Sequence, residues 1–118
     1  MFPNRNKEFK NFTMVDNFLI EEVFPRLKSL AECKIILHIY RNTMGVVVGT
    51  DDEGKTRYRE VYYITTRKLA EILQLSQKSI ITGMHNLEKG GFIVKVNNEG
   101  KTGYRLRLEG EPLPTQES

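Results

Sequence analysis

The segment GTDDEGKT, residues 49–56, matches the pattern G-x-x-x-x-G-K-[ST], which in nucleotide-binding proteins holds phosphate groups. Such a loop works because backbone N–H groups and the start of a helix converge on an anion. Here the spacer contains Asp51, Asp52 and Glu53, whose negative charges repel a phosphate. The next residues, RYREVYYI, have the aromatic and β-branched character of a strand. The segment therefore indicates a turn between strands and not a nucleotide site.

A near copy of this segment occurs later in the chain. Residues 53–59 read EGKTRYR and residues 99–105 read EGKTGYR, but the second copy has Lys95 where the pattern requires its first glycine. One phosphate chemistry cannot explain both copies, whereas one geometry can. We predict that each copy forms the turn of a β-hairpin, and that the return strand of the first hairpin, around residues 61–64, pairs with the second hairpin.

The sequence offers no other catalytic or metal-binding constellation. Its single cysteine, Cys33, cannot form an internal disulfide, and with His38 and His85 it supplies too few ligands for a structural zinc site. Neither histidine has a nucleophile near it in the sequence. Cys33 is expected in the core, and His38 is expected to be partly buried with its hydrogen bonds satisfied. We therefore expect no enzymatic activity, no metal and no cofactor.

Length and composition predict one charged, globular domain. The chain has 118 residues, of which 39% are hydrophobic and 28% charged. No apolar run approaches the roughly 20 residues of a membrane helix, and the first residues contain no signal core, so we expect a cytoplasmic protein without membrane contact. The net charge of +3 is uneven, since residues 65–109 carry eight Lys and Arg against four Glu. This surplus permits a polyanionic partner.

Capping residues and apolar periodicity predict two helices in the first part of the chain. A short helix over DNFLIEEVFP is expected to be capped by Asp16 and to be ended by Pro25 near Phe24. A second helix over residues 29–45 begins with the capping pair Ser29 and Glu32. One apolar face of the second helix consists of Cys33, Ile36, Leu37, Tyr40 and Met44. Ile35 and Ile39 add apolar surface on another side, so this helix is either central or in contact with a partner chain.

The remaining pattern is a hairpin, two helices and a second hairpin. The helix TTRKLAEILQL is capped by Thr65 or Thr66, and the helix SQKSIITGMHNLEKGG begins at Ser76 and ends at Gly90. The apolar residues expected to face the core of these helices are Leu69, Ile72, Leu73, Ile80, Met84 and Leu87. Two helices joined by LQLSQ and followed directly by the hairpin FIVKVNNEGKTGYRLRL form a winged helix-turn-helix.

The predicted fold is therefore α+β: a winged helix-turn-helix with N-terminal helices, an extra β-hairpin and a C-terminal two-stranded wing. We place this domain at residues 12–109. A flexible arm of residues 1–11 is expected before it, and a linker or disordered tail of residues 110–118 after it.

The segment NFTMVDNFLIEEVFPRLKSLAECKIILHIYRNTMG resembles the opening of phage replication-initiation proteins of the protein O type. The matching residues are Phe12, Thr13, Val15, Asn17, Pro25, Glu32, Arg41, Thr43 and Gly45. The segment ITTRKLAEILQLSQKSIITGMHNLEKGGFI is similar to the helix-turn-helix of that family and also to many winged-helix regulators.

The resemblance covers about residues 11–108. It implies binding to origin DNA and, through a C-terminal region, recruitment of helicase machinery of the host. We expect that C-terminal region to be missing from these residues, and the acidic hairpin, residues 49–57, is an insertion relative to the family pattern.

In a helix-turn-helix the second helix enters the major groove, and the residues of its first turn meet base edges. Gln77, Lys78 and Ser79 occupy that turn, and Thr82, His85, Asn86 and Lys89 are predicted to share the face opposite the apolar stripe. On the wing, strand alternation is expected to place Lys95, Arg105 and Arg107 on one face, with Lys101 at the tip, for contact with phosphate or the minor groove. Arg67 and Lys68 complete the predicted DNA-binding set.

Three functions remain open at this point. The first is sequence-specific binding of double-stranded DNA by a replication initiator, and the second is the same binding by a transcription regulator. The third is a protein-interaction winged helix that serves dimerisation or primosome assembly without touching DNA. The basic surplus after Thr65 favours DNA, whereas Ile35, Ile39 and Ile81, if exposed, favour a protein partner or a homodimer formed through the N-terminal helices.

Overall fold

The computed structural model describes residues 15–107, and over this range the chain is α+β, with helices and two small antiparallel sheets. The elements are a π-helical turn Leu19–Val23, a 3-10 turn Phe24–Arg26, α1 (Leu30–Thr43), β1 (Val47–Thr50), β2 (Thr56–Tyr58), β3 (Tyr62–Tyr63), α2 (Thr66–Leu73), α3 (Gln77–Lys89), β4 (Ile93–Asn98) and β5 (Lys101–Leu106). The predicted arm and tail lie outside the described residues, as do Phe12 and Thr13.

The first helical segment differs from its prediction. Asp16 acts as a cap, because its Oδ1 accepts a hydrogen bond from the Phe18 N–H at 2.8 Å. The segment is then wound as a π-helix over Leu19–Val23 and continues as a 3-10 helix over Phe24–Arg26. Pro25 lies at the start of the 3-10 helix, where its missing N–H leaves no bond unmade. The π-helix ends at Val23 with Phe24 as its C-cap, so the predicted end near Phe24 is confirmed, but the 3-10 turn continues the helical path past Pro25 to Arg26.

The predicted start of α1 is confirmed. The Ser29 hydroxyl accepts a hydrogen bond from the Glu32 N–H at 3.2 Å and donates one to Glu32 Oε2 at 2.9 Å. The other carboxylate oxygen of Glu32 accepts from the Lys28 N–H at 3.3 Å. Glu32 is 4% exposed, so these donors compensate for the loss of water around its carboxylate.

The side of α1 that faces the core combines Ile36 and Tyr40 of the first predicted apolar face with Ile35 and Ile39 of the other side. Ile35 and Ile39 are fully buried, so of the two alternatives for α1 the central position is confirmed, and these two residues offer no exposed surface to a partner. Leu37 and Met44 are instead exposed, and Cys33 is only partly buried. Because α1 carries apolar residues around most of its circumference, its sequence could not show which side would meet the rest of the protein.

The two predicted helices that follow begin as expected. Thr65 Oγ1 accepts from the Lys68 N–H, and Ser76 Oγ accepts from the Ser79 N–H, each at 3.1 Å. Most of the predicted core residues are buried or partly buried, namely Leu69, Leu73, Ile80, Met84 and Leu87. Ile72 is the exception, because it is 44% exposed.

Both helices end with a left-handed residue. Gln74, at φ +55°, ends α2, and Gly91, at φ +79°, follows the last turn of α3. After α3 the Phe92 N–H donates to the Leu87 carbonyl and the Gly91 N–H to the Glu88 carbonyl, both at 3.0 Å. This bond pair is the Schellman motif, and it turns the chain from α3 directly into β4.

The sheets confirm the predicted pairing of the two hairpins. β1 and β2 form one two-stranded sheet, and the other sheet has the order β3-β5-β4. β3, within the return segment of the first hairpin, pairs with β5 through Tyr62 opposite Tyr104 and Tyr63 opposite Gly103. The loop between β4 and β5 is Glu99–Gly100, whose φ angles of +50° and +80° are typical of a type I′ turn.

The acidic segment that matches the phosphate-loop pattern is the turn between β1 and β2. Asp51 Oδ1 accepts hydrogen bonds from the N–H groups of Glu53, at 2.9 Å, and Lys55, at 2.8 Å. The carboxylate of the loop itself thus binds the amides that a phosphate loop offers to its ligand. The residues that follow form β2 and not a helix, so the predicted hairpin turn is confirmed.

None of the helices within residues 15–107 is both long enough and apolar enough to span a lipid bilayer.

Candidate nucleic-acid interface

α3 has one buried side and one exposed side. The buried side packs against α1 so closely that a Cβ added to Gly83 would lie 2.7 Å from Ile35 Cδ1. The exposed side is a continuous row at helical spacing, which we call the α3 stripe: Lys78, Ile81, Thr82, His85 and Lys89. Four of these residues were predicted for a DNA surface, and Ile81, 54% exposed, lies among them.

The three residues predicted for DNA contact in the first turn of α3 differ in their exposure. Gln77 and Lys78 are exposed at the N-terminus of the helix. Ser79 is half-buried, and its hydroxyl accepts a hydrogen bond from Ser76 Oγ at 2.8 Å. Ser79 therefore belongs to the cap of α3, while Gln77 and Lys78 point their polar groups to the outside.

Asn86 does not belong to the α3 stripe. It is half-buried, and its Nδ2 donates to Glu32 Oε2 on α1 at 3.4 Å. One residue corresponds to about 100° around a helix, and this step from His85 carries Asn86 onto the flank that faces α1. The prediction that Asn86 lies on the exposed face was wrong, and its hydrogen bond instead links α3 to the capping pair of α1.

Arg67 and Lys68 lie in the first turn of α2, and both are exposed. Lys68 Nζ is 3.8 Å from Glu71 Oε2, one turn further along α2. Exposed pairs of this kind are weak, of the order of 0–1 kcal/mol. Lys68 can therefore leave the Glu71 carboxylate and bind another anion at a small cost in free energy.

The register of the β4–β5 hairpin separates cations that were predicted to lie together. Lys95 is directly opposite Tyr104, and Arg105 is directly opposite Val94. Residues opposite each other in an antiparallel pair share a face of the sheet. Lys95 therefore shares its face with Tyr104, while Lys101 and Arg105 lie on the other face, so the predicted common face of Lys95 and Arg105 was wrong.

The arginines of this hairpin are held by the protein, and its lysines are exposed. Arg107 is half-buried and its Nη1 donates to the Gly91 carbonyl at 3.2 Å, beside the end of α3. Arg105 is half-buried as well, and its Nη1 donates to the Leu106 carbonyl at 3.3 Å. Lys95 and Lys101 are the exposed members of the predicted set on this hairpin.

An aromatic residue that the sequence reasoning missed lies on the outer face of the same sheet. The ring of Tyr63, 42% exposed, crosses β5 at Gly103, and the Tyr63 hydroxyl accepts a hydrogen bond from Asn98 Nδ2 at 3.4 Å. A signal for it was present, because the two EGKT segments differ only in having Arg57 in the first copy and Gly103 in the second. Only a glycine leaves room for the ring.

A further polar contact between elements joins α1 to β3. His38 Nε2 and the Tyr62 hydroxyl are 2.9 Å apart, and Asn42 Nδ2 is 3.4 Å from the same nitrogen. Burial lowers the pKa of His38 below its usual value, and the charge of Arg41 lowers it further. Burial likewise raises the pKa of Tyr62. His38 is thus partly buried and hydrogen-bonded, as predicted.

Within residues 15–107, no three His, Cys, Asp or Glu side chains are grouped so that they could hold a metal ion. Comparison with known proteins gave no match among protein-family models, curated proteins or solved structures.

Proposed function

We propose that this protein binds double-stranded DNA as a winged helix-turn-helix, with α3 in the major groove and the β4–β5 hairpin as the wing. The observation that carries the proposal is the α3 stripe: an exposed row of basic, hydroxyl and imidazole groups, with Ile81 among them, on a helix whose opposite side is buried. A helix held in this way can enter a groove without rearrangement, and the major groove admits one α-helix.

The proposal assigns different tasks to two sets of residues. Gln77, Lys78 and Thr82 read base edges, since amide, ammonium and hydroxyl groups at the start of a recognition helix can pair with them. The exposed cations around that helix contact phosphates, which adds affinity but no sequence preference. These cations are Arg67, Lys68, Lys89, Lys95 and Lys101.

The biological setting that we propose is origin recognition in replication of a phage or plasmid type. The resemblance of the first helices and of the α2–α3 segment to phage initiators of the protein O type supports it. A transcription regulator would use the same surface. Footprinting on the DNA around the encoding gene distinguishes them, since an initiator protects a repeated origin sequence and a regulator protects a promoter.

The test is fluorescence anisotropy with a duplex selected from a random library and with an unselected duplex, each at several salt concentrations. We expect Lys95→Ala and Lys101→Ala each to weaken binding to both duplexes and to reduce the slope of log K against log salt by about one. Lys55→Ala is the matched control, because Lys55 is exposed in the turn between β1 and β2, which is not among the elements proposed for DNA contact, and its Nζ lies 3.8 Å from Glu53 Oε2. Absence of salt-dependent binding by the wild-type protein would contradict the proposal.

A further inference from the structure

α1 has a second apolar side, opposite the side that is buried in the core. Leu30, Leu37 and Met44 recur at seven-residue spacing and are 70%, 37% and 39% exposed. Cys33, partly buried, lies between the first two. Residues at this spacing follow one line along a helix, as they do in the contact seam of a coiled coil. The described residues leave much of this line uncovered.

This line continues into a shallow, open groove formed by residues of α1 and α2. The groove is lined by Lys34, Leu37, His38, Arg41, Ile72, Leu73 and Gln74. Leu37 on α1 and Ile72 on α2, the latter 44% exposed, give the lining exposed apolar surface from both helices. The charged residues of the lining are Lys34 and Arg41, both basic, and no carboxylate is among the lining residues.

We infer that this α1–α2 groove docks an acidic amphipathic helix of a partner protein. An apolar strip of the partner would cover Leu37 and Ile72, as in other complexes of a helix in a groove. Lys34 and Arg41 are seven residues apart, about 10 Å along the helix axis. Carboxylates two turns apart on the partner would match both cations.

The charges argue against a second copy of this chain as the occupant. In an antiparallel α1–α1 pair the Lys34 and Arg41 cations of the two copies would face each other, and like charges at such positions disfavour pairing. In a parallel pair they would face Ile36 and Thr43, which are buried within their own chain. With an acidic partner, Lys34 and Arg41 face carboxylates, so the interaction is attractive.

The groove is separate from the surface proposed for DNA. α1 contacts α3 through Ile35, which lies against Gly83. Leu37 is two residues further along the helix, about 200° around its axis, and so faces away from α3. The inference does not depend on the proposed function, and a partner could occupy the groove while α3 is in contact with DNA.

The experiment selects peptides from a displayed library of random 16-residue sequences by their binding to the immobilised full chain. The affinities of the enriched peptides are then measured. We expect peptides that combine Asp or Glu with Leu, Ile, Phe or Met at helical spacing. Leu37→Glu and Ile72→Glu should each weaken their binding by about tenfold or more, since each places a charge in an apolar contact. Arg41→Glu should weaken it as well, by reversing the rim charge. Ile81→Glu, at a similarly exposed apolar residue on α3, is the matched control and should leave peptide binding unchanged.

Circular dichroism spectra and urea midpoints of all variants establish that they are folded. Failure to enrich peptides, enrichment of peptides without acidic residues, or binding unaffected by Leu37→Glu would overturn the inference. A dimer in light scattering that Leu37→Glu dissociates would make a second copy the occupant and overturn it too. Competition by a synthetic peptide of residues 108–118, which contain Glu109, Glu111 and Glu117, would make the occupant the chain's own tail. If the selection enriches no peptides and Lys34→Glu lowers the affinity for DNA, the groove is part of the DNA-binding surface and the inference is overturned.

Discussion

Tyr63 and Gly103 lie directly opposite each other in the β3–β5 pair, and the tyrosine ring occupies the space that a side chain on Gly103 would fill. A Cβ at position 103 would lie 2.8 Å from Tyr63 Cδ1 and 2.6 Å from Val61 Cγ1. This contact attaches the return segment of the first hairpin to the sheet of the second. It gives the two EGKT segments, which look alike in sequence, different surroundings.

We expect Gly103→Ala to lower the free energy of unfolding by about 1–3 kcal/mol, as overpacking commonly does. The measurement is urea denaturation followed by circular dichroism. Removing the obstructing groups with Val61→Ala and Tyr63→Ala should recover part of the loss, because the strain arises from their side chains. If Gly103→Ala lowers the free energy of unfolding equally in the wild-type protein and in the variant with Val61→Ala and Tyr63→Ala, this contact is not the origin of the loss.

Stability should depend on the protonation of His38. Its pKa is lowered in the folded protein by burial and by Arg41, so the unfolded chain binds the proton more tightly. The stabilising contribution is therefore present above the unfolded value of about 6.5 and is lost as pH falls through the lower folded value. We expect His38→Gln to flatten the dependence of the urea midpoint on pH in this window. His85→Gln, at an exposed position on α3, should leave the contribution of His38 in place.

Gln77 and Asn86 should respond differently to truncation, although both were predicted to read DNA. Gln77→Ala should reduce discrimination between the selected and the unselected duplex by about 1–3 kcal/mol, with stability unchanged. Asn86→Ala removes a donor from the buried carboxylate of Glu32. It should therefore lower stability by about 1 kcal/mol and leave discrimination unchanged. Anisotropy titrations and urea denaturation of the two variants measure both quantities, and a loss of discrimination in Asn86→Ala would return Asn86 to the DNA surface.

ATP should not bind to the acidic turn. Asp51 already accepts the hydrogen bonds of the Glu53 and Lys55 amides, and its charge repels a phosphate. Isothermal titration calorimetry with Mg-ATP should give no saturable heat at micromolar protein and millimolar nucleotide. Binding that disappears in Lys55→Ala would contradict this prediction and reopen the nucleotide hypothesis.

Features that depend on a few neighbouring residues could be predicted from the sequence. Ser29 and Ser76 were recognised as caps, and the cap of α2 was narrowed to Thr65 or Thr66, because each such hydroxyl can bind an amide three residues further on. Both hairpin turns were recognised for the same reason, since a turn is determined by its own residues. The core side of α3 was predictable because its apolar residues lie on one side, apart from Ile81.

Features that depend on what packs against an element could not be predicted in this way. α1 is apolar on two sides, and its packing against α3, where Ile35 lies against Gly83, buries Ile35 while Leu37 is exposed. The face of the sheet on which Lys95 lies, relative to Arg105, depends on how β4 and β5 pair across the Glu99–Gly100 turn, and the structure shows that pairing. The sequence by itself determined the order of the elements and the basic, polar character of α3, because both follow from local periodicity and capping. Only the tertiary structure decided which side chains of α1, α3 and the hairpin reach the surface, because that depends on contacts between residues far apart in the chain.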